Sequence, residues 1–241
     1  MAMLLMLHDQ KQDFEAVFVN HGTDWPETYE YLEMFQGWLE KKGLPKITVL
    51  KPIVRGYDNL YDRCWRYRMV PSLMIRWCTV DHKIKPLEKY CQSPAFMLLG
   101  IDTGESHRAK IAVNKGFENR FPLIEAGINR DDCKKIIRKN RLPIPMKSGC
   151  YICPFQKVAQ WKQLRRVHPD LFCKAEQLEQ RSMEYRLSIG KKPLFLNQSP
   201  KAPLSAIVNE KQSKLWGGGR ISAVQLFFVI IDELNSIRGK T

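Results

Sequence analysis

Apolar positions along this chain fall into short unbroken runs and into longer stretches with helical spacing. Glu15-Ala-Val-Phe-Val19 is a short run and reads as a buried parallel strand. After the polar turn Asn20-His-Gly-Thr-Asp24, the pattern predicts a helix from Pro26, whose missing amide costs nothing at the first helical position. Tyr29, Leu32, Phe35 and Leu39 carry its spacing, and it stops near Gly43. Ile47-Thr-Val-Leu50 reads as a second strand, residues 57–67 as a polar helix or lid, and residues 71–89 as a helix with interruptions. Ala95-Phe-Met-Leu-Leu-Gly-Ile101 is the clearest buried strand, with a short one predicted near residues 119–124. Helices follow over residues 130–140, 155–167 and 170–189. The Pro- and Lys-rich residues 191–203 read as a linker or surface crossing. Trp216-Gly-Gly-Gly-Arg220 reads as a hinge rather than a phosphate cradle, because no clear strand leads into it; residues 221–237 read as an apolar helix.

Strands alternating with helices predict an α/β fold with an open, mainly parallel doubly wound sheet and a helical C-terminal extension. The expected divisions are an α/β domain over residues 1–145, a cysteine-containing helical segment over 146–190, and a linker with a C-terminal helix over 191–241. The chain's 241 residues can bury a sizeable core. Its apolar runs all fall short of the ~18–20 residues of a membrane span. The opening Met1-Ala-Met-Leu-Leu-Met-Leu7 lacks the basic start and the cleavage site of a signal peptide. Seven cysteines argue against a secreted disulfide framework and for a reducing, cytoplasmic setting.

Charge changes the picture of partners. The formal net charge is +14, and residues 134–192 concentrate cations such as Lys134, Lys135, Arg138, Lys157, Arg165 and Arg166. A polyanion such as DNA, tRNA or a nucleotide fits this balance, as does a merely solvated basic face.

Cysteine spacing supplies the candidate chemistry. Cys150-Tyr-Ile-Cys153 is a pair that can hold one metal centre, with Gly149 and Pro154 favouring the turn. A structural metal, a redox dithiol and chance all remain compatible with the pair alone. Together with Cys78 and Cys173 it would form a complete four-thiolate site for zinc or an iron–sulfur cluster.

Several further motifs stand in a fixed order. These are Phe18-Val-Asn-His-Gly-Thr-Asp-Trp-Pro-Glu-Thr28, Arg76-Trp-Cys-Thr79 with Lys83, Ile84 and Pro86, and Leu99-Gly-Ile-Asp-Thr-Gly-Glu-Ser-His-Arg108. Phe121-Pro-Leu-Ile124 and Gly149-Cys-x-x-Cys-Pro154 follow. In this order and spacing, residues 1–185 resemble the phosphoadenosine phosphosulfate (PAPS) reductase-like branch of the adenine-nucleotide alpha-hydrolase, or ATP pyrophosphatase, superfamily. The opening residues are similar to the helix that follows that family's Ser-Gly-Gly-Lys-Asp-Ser phosphate loop. The loop itself does not occur in the sequence, so the expected sheet carries a gap where the family's first strand stands. Either a start assigned at an internal Met or a degenerate homologue would give this pattern.

The resemblance implies an ATP- or PAPS-type nucleotide, with Thr23, Asp24, Lys83, Glu105, Ser106 and Arg108 as its binding residues. Thr23 and Asp24 would lie at the carboxyl edge of the sheet, where nucleotides bind in open α/β folds. His21 and His107 could assist proton transfer, although histidines beside a site are more often structural. The resemblance also implies a 4Fe-4S cluster on Cys78, Cys150, Cys153 and Cys173, with zinc as the alternative on the same ligands. It implies sulfur transfer to DNA or tRNA, with a desulfurase as sulfur donor. Asp102 stands near where the family often has Arg, and the reductase's Glu-Cys-Gly-x-His tail is missing, which argues against thioredoxin-dependent PAPS reduction. Sulfonucleotide reduction with external thiols, and a catalytically inactive nucleic-acid-binding subunit with a structural four-cysteine site, are the alternative readings.

Overall fold

In the computed structural model, residues 1–109, 113–114, 116–146, 149–209 and 228–233 are described. Helix α1 (Ala2–Asp9) leads into strand β1 (Glu15–Val19) and helix α2 (Pro26–Lys41). Alternate side chains of β1 serve two cores. Ala16 and Phe18 pack with Leu5, Leu7, Phe35 and Leu39, whereas Val17 and Val19 pack with Leu87, Met97 and Phe117. Side chains of a strand point alternately to opposite faces, so a strand covered on both must be apolar throughout, which is why this run lacks alternation.

Strand β2 (Thr48–Leu50) pairs parallel with β1. Helix α3 (Leu60–Arg66) begins at Asn59, whose side chain accepts the Tyr61 amide. The interrupted helix resolves into α4 (Trp77–Thr79), a π-helical turn over Val80–Ile84 and α5 (Lys85–Tyr90). Strand β3 (Ala95–Leu99) is followed by a 3₁₀ segment, Thr103–Arg108, then β4 (Val113–Asn114) and β5 (Phe117–Arg120). Helices α6 (Pro122–Glu125) and α7 (Arg130–Lys139) come next, the latter opened by a capping box between Asn129 and Asp132. Helices α8 (Val158–Val167) and α9 (Pro169–Ser188) precede a two-stranded ribbon, β6 (Asn197–Gln198) with β7 (Lys201–Ala202). Helix α10 (Leu204–Asn209) and strand β8 (Phe228–Glu233) complete the described elements.

The protein is therefore mixed α/β, with its six-stranded sheet in the order β2-β1-β8-β3-β5-β4. Strand β8 is antiparallel to both β1 and β3, so β2, β1, β3 and β5 share one direction. This strand stands between β1 and β3. The helix predicted over residues 221–237 is thus replaced by a strand at residues 228–233; the remainder of that span, and the glycine hinge before it, lie outside the described residues. Two flanking strands with unpaired amides and carbonyls outweigh a local helical pattern, since buried backbone groups must be paired.

The segment read as a linker or surface crossing, residues 191–203, is anchored to the rest of the fold. Leu196, Leu204 and Ile207 join a second core with Trp161, Leu164, Phe172 and Leu178. Buried Glu179 fixes this segment by accepting the Leu196 amide at 2.6 Å and the Leu204 amide at 2.7 Å. Burial raises its carboxyl pKa, and the two amides oppose that shift. Among the described residues, no helix is long and apolar enough to cross a membrane.

Candidate functional site

The site grows from the loop that leaves β1. Gly22 has φ +77°, and a Cβ there would stand 2.6 Å from Asn59 Nδ2, so only glycine lets the start of α3 seat against this turn. The Asn59 side chain donates to the Gly22 carbonyl, and the Leu60 amide donates to the His21 carbonyl. Held in this way, His21, Thr23 and Asp24 are all buried at the carboxyl end of β1.

The Cys150–Cys153 turn docks on the same loop as a short antiparallel bridge between Asp24 and Cys150. The Trp25 amide donates to the Gly149 carbonyl at 3.0 Å, and the Tyr151 amide to the Thr23 carbonyl at 2.8 Å. The Cys153 amide closes the turn onto the Cys150 carbonyl, and Gln156 Nε2 donates to the carbonyls of Cys150 and Tyr151. Tyr151 and Ile152 point into the second core, so burial of these two residues aims the flanking cysteines toward the loop. Gly149 does not adopt a positive φ, so its turn-forming freedom is not what shapes the pair.

Two hydrogen bonds through Thr23 join the two segments, and an electrostatic contact extends from His21 to Asp24. Thr23 Oγ1 lies 3.0 Å from Cys150 Sγ and 2.7 Å from His21 Nδ1, and His21 Nε2 faces Asp24 Oδ2 at 3.4 Å. A carboxylate can only accept, so the imidazole proton is assigned to Nε2. Thr23 then donates to Nδ1 and accepts from the Cys150 thiol. A proton on Cys150 is thus linked to Asp24 through a hydroxyl and a neutral imidazole.

The second wall comes from the π-helical turn, a distortion frequent at functional sites. Arg63 of α3 organises it. Its guanidinium donates to His82 Nε2 at 3.1 Å and to Asp81 at 2.8 Å, and stacks over Trp77 with 4.6 Å to the ring centroid. This places Lys83 close enough for its charge to act on both His21 and Cys153, and Cys78 close enough to act on Cys153. Guanidinium nitrogens only donate, so His82 carries its proton on Nδ1, which has no hydrogen-bond partner among the described residues although the residue is fully buried. Sequence reasoning missed Arg63 and His82. Their signal was the polar Asp81-His82-Lys83 run directly after the Cys78 motif, set opposite an aromatic and basic helix.

Burial pushes the Cys150 thiol well up, reinforced by Cys153 and opposed by Thr23. It also raises Cys153, with Cys78 adding to the rise while Lys83 and Arg76 pull it down. Thiols in this state are protonated and poor nucleophiles. A thiophilic cation would displace their protons. Cys78, Cys150 and Cys153 are neighbours, but among the described residues no group of three His, Cys, Asp or Glu side chains stands at metal-binding spacing. The donor chemistry of the trio fits zinc or iron, and capture would require the Cys78 turn to close on the pair.

Cys173 is not part of this gathering. It is exposed on α9, accepts from Gln177 at 3.4 Å and lies near Tyr61. Glu105, Ser106 and Arg108 form a separate group after β3. Arg108 is paired with Glu105 at 2.7 Å, and Asp102 caps the segment by accepting the Gly104 amide. Asp102 also faces Arg130 at 3.5 Å, so it is held by a cation of its own fold. This group shares the sheet edge with Thr23 and Asp24. Two strand spacings, about 10 Å, separate β1 from β3.

Acid should weaken this arrangement. Burial lowers His21 to about 4, with Asp24 opposing and Lys83 assisting; burial and then Arg63 lower His82 to about 4 as well. In the unfolded chain each returns to 6.5, so their stabilising contribution is complete above that pH and is lost as pH falls toward 4. For His21 this amounts to about 3 kcal/mol. The expected result is a melting temperature that drops between pH 7 and 4.5, with a shallower slope in His21→Gln. An identical slope in the variant would show that His21 titrates alike in both states.

No protein-family model matches the chain, and no solved structure matches it. Among curated proteins, the chain is similar to an uncharacterized protein of Methanocaldococcus jannaschii, with 22% identity over 180 residues. That alignment covers 67% of this chain and 40% of the relative, so the chain spans less than half of the length of the protein it matches.

Proposed function

We propose that this protein is a nucleotide-dependent enzyme of the PAPS reductase-like kind. In this reading it binds an adenine nucleotide at the carboxyl edge of the sheet and passes sulfur to a nucleic-acid acceptor, with a desulfurase as donor. The observation that carries the reading is the direct joining of the Cys150–Cys153 turn to the Thr23–Asp24 loop, through the Asp24–Cys150 bridge and the Cys150–Thr23 hydrogen bond. It sets thiol chemistry against the strand end where nucleotides bind in α/β sheets. The common direction of β2, β1, β3 and β5 supports the same reading by placing the loops after β1 and β3 on one edge.

Cys78, Cys150 and Cys153 would hold an iron–sulfur cluster, or zinc, which supplies a soft centre able to bind sulfur. The protein's own contribution is positioning and proton handling. Lys83 offers a cation to phosphate or sulfate oxygens beside His21. Thr23, accepting from the Cys150 thiol and donating to a neutral His21, fixes the direction in which the thiol proton points.

Calorimetric titration with ATP and with PAPS, followed by a pyrophosphate-release assay with and without tRNA and DNA, tests the proposal. Nucleotide binding should weaken about tenfold or more in Lys83→Ala, the size of one charge-assisted phosphate contact. Turnover of PAPS without nucleic acid would favour sulfonucleotide reduction instead. Absence of binding to either nucleotide would remove the enzymatic reading.

A further inference from the structure

An acceptor that reacts at the thiol site must reach it across the surface beside Cys153, and that surface has an unusual make-up. Phe155, two residues past Cys153, is 55% exposed, and Arg76 lies over its ring with 5.2 Å to the centroid. Arg76 is itself held at φ 45°, a left-handed conformation that ordinary residues seldom adopt, at the start of the turn carrying Cys78. Met74 and Ile75, immediately before it, are 93% and 74% exposed. The rim therefore couples a half-exposed aromatic ring, covered on one side by a guanidinium within reach of the Cys153 thiol, to flexible apolar side chains.

We infer that this rim is a stacking platform for one unpaired base of a single-stranded nucleic acid, held where its reacting atom meets the thiols. This rests on the proposal that the acceptor is nucleic acid. Charge separates this occupant from an apolar protein partner. Arg76 and Lys157, both exposed, flank Phe155, while Asp81, the acid nearest Arg76 in sequence, is already engaged by Arg63 and Lys85. The net charge of +14 favours a polyanion over the molecule as a whole. An aromatic ring beside cations is how single strands are held without regard to sequence, because every base offers a flat face and every step a phosphate. A duplex keeps its bases stacked internally and cannot use the ring.

The test is fluorescence anisotropy with a labelled 15-nucleotide RNA, its DNA counterpart and the matching duplexes at two salt concentrations. Four proteins are compared: the unaltered chain, Phe155→Ala, Phe155→Trp, and Leu187→Ala as an exposed apolar control on α9. Single strands should bind with steep salt dependence. Phe155→Ala should weaken them about tenfold or more while Phe155→Trp and Leu187→Ala retain affinity. Unchanged binding in Phe155→Ala, or an equal loss on duplex and single strand, would overturn the platform and leave the nucleic-acid acceptor standing. Failure of the unaltered chain to bind any oligonucleotide would remove both. Exposure of Phe155 makes misfolding of its variants an easily excluded explanation, checked by an unchanged melting temperature.

Discussion

Replacing Trp161 by alanine should cost about 3–5 kcal/mol of stability, the cost of emptying a large, fully enclosed site. Trp161 has no exposed surface and packs in the second core with Leu164, Leu178, Leu196 and Leu204. The consequence should extend beyond stability, because Tyr151 and Ile152 of the cysteine turn belong to the same core. Urea denaturation would give the loss as a lower midpoint at constant slope. Alkylation of Cys150 and Cys153 by iodoacetamide should accelerate in the variant as their turn loosens. A loss below about 1 kcal/mol would mean that the site collapses readily around the missing ring. Unchanged alkylation would mean that the β1 loop alone anchors the turn.

The second large effect concerns metal loading. After anaerobic reconstitution with iron and sulfide, or incubation with zinc, Cys150→Ser and Cys153→Ser should lose bound metal nearly completely, and Cys78→Ser should lose most of it. Cys173→Ser should match the unaltered protein. The first three thiols are neighbours, each able to influence another, whereas Cys173 is exposed and turned toward Gln177. A hydroxyl in place of a thiolate is a poor ligand for soft metals, so serine keeps the shape and removes the chemistry. Metal analysis and the visible spectrum report the result directly. A Cys173→Ser protein that cannot be loaded would restore the four-cysteine set and require α9 to move. Full loading of the double variant Cys150→Ser/Cys153→Ser would end the metal reading of the pair.

The placement of Cys173 was legible in the sequence. The buried stripe of α9 runs through Phe172, Ala175, Leu178, Glu179 and Ser182, and at 100° per residue Cys173 falls away from it. Counting cysteines obscured what helical spacing could have shown. The opposite holds for Phe228–Glu233. A short apolar run has no period that separates strand from buried helix, and only the vacancy between β1 and β3 decides the matter. The ribbon after α9 was hidden for a related reason. Its anchor is a single acid, Glu179, which reads as one more polar position on a helix until the amides of Leu196 and Leu204 are found on it.

The sequence by itself determined the features whose causes are local. Unbroken apolar runs set β1 and β3, Pro26 and Asn129 set helix starts, and the spacing of Cys150 and Cys153 set a tight turn. Tertiary structure decided which of these meet. It brought residues 23 and 150 into hydrogen-bond contact, turned the mid-helix polar run Asp81-His82-Lys83 into a wall built on Arg63, and left Cys173 outside. Turns and helix starts are fixed by the dihedral preferences of a few adjacent residues. Contacts across more than a hundred positions follow from how whole faces are buried, and chain pattern records that a face is apolar without recording what covers it.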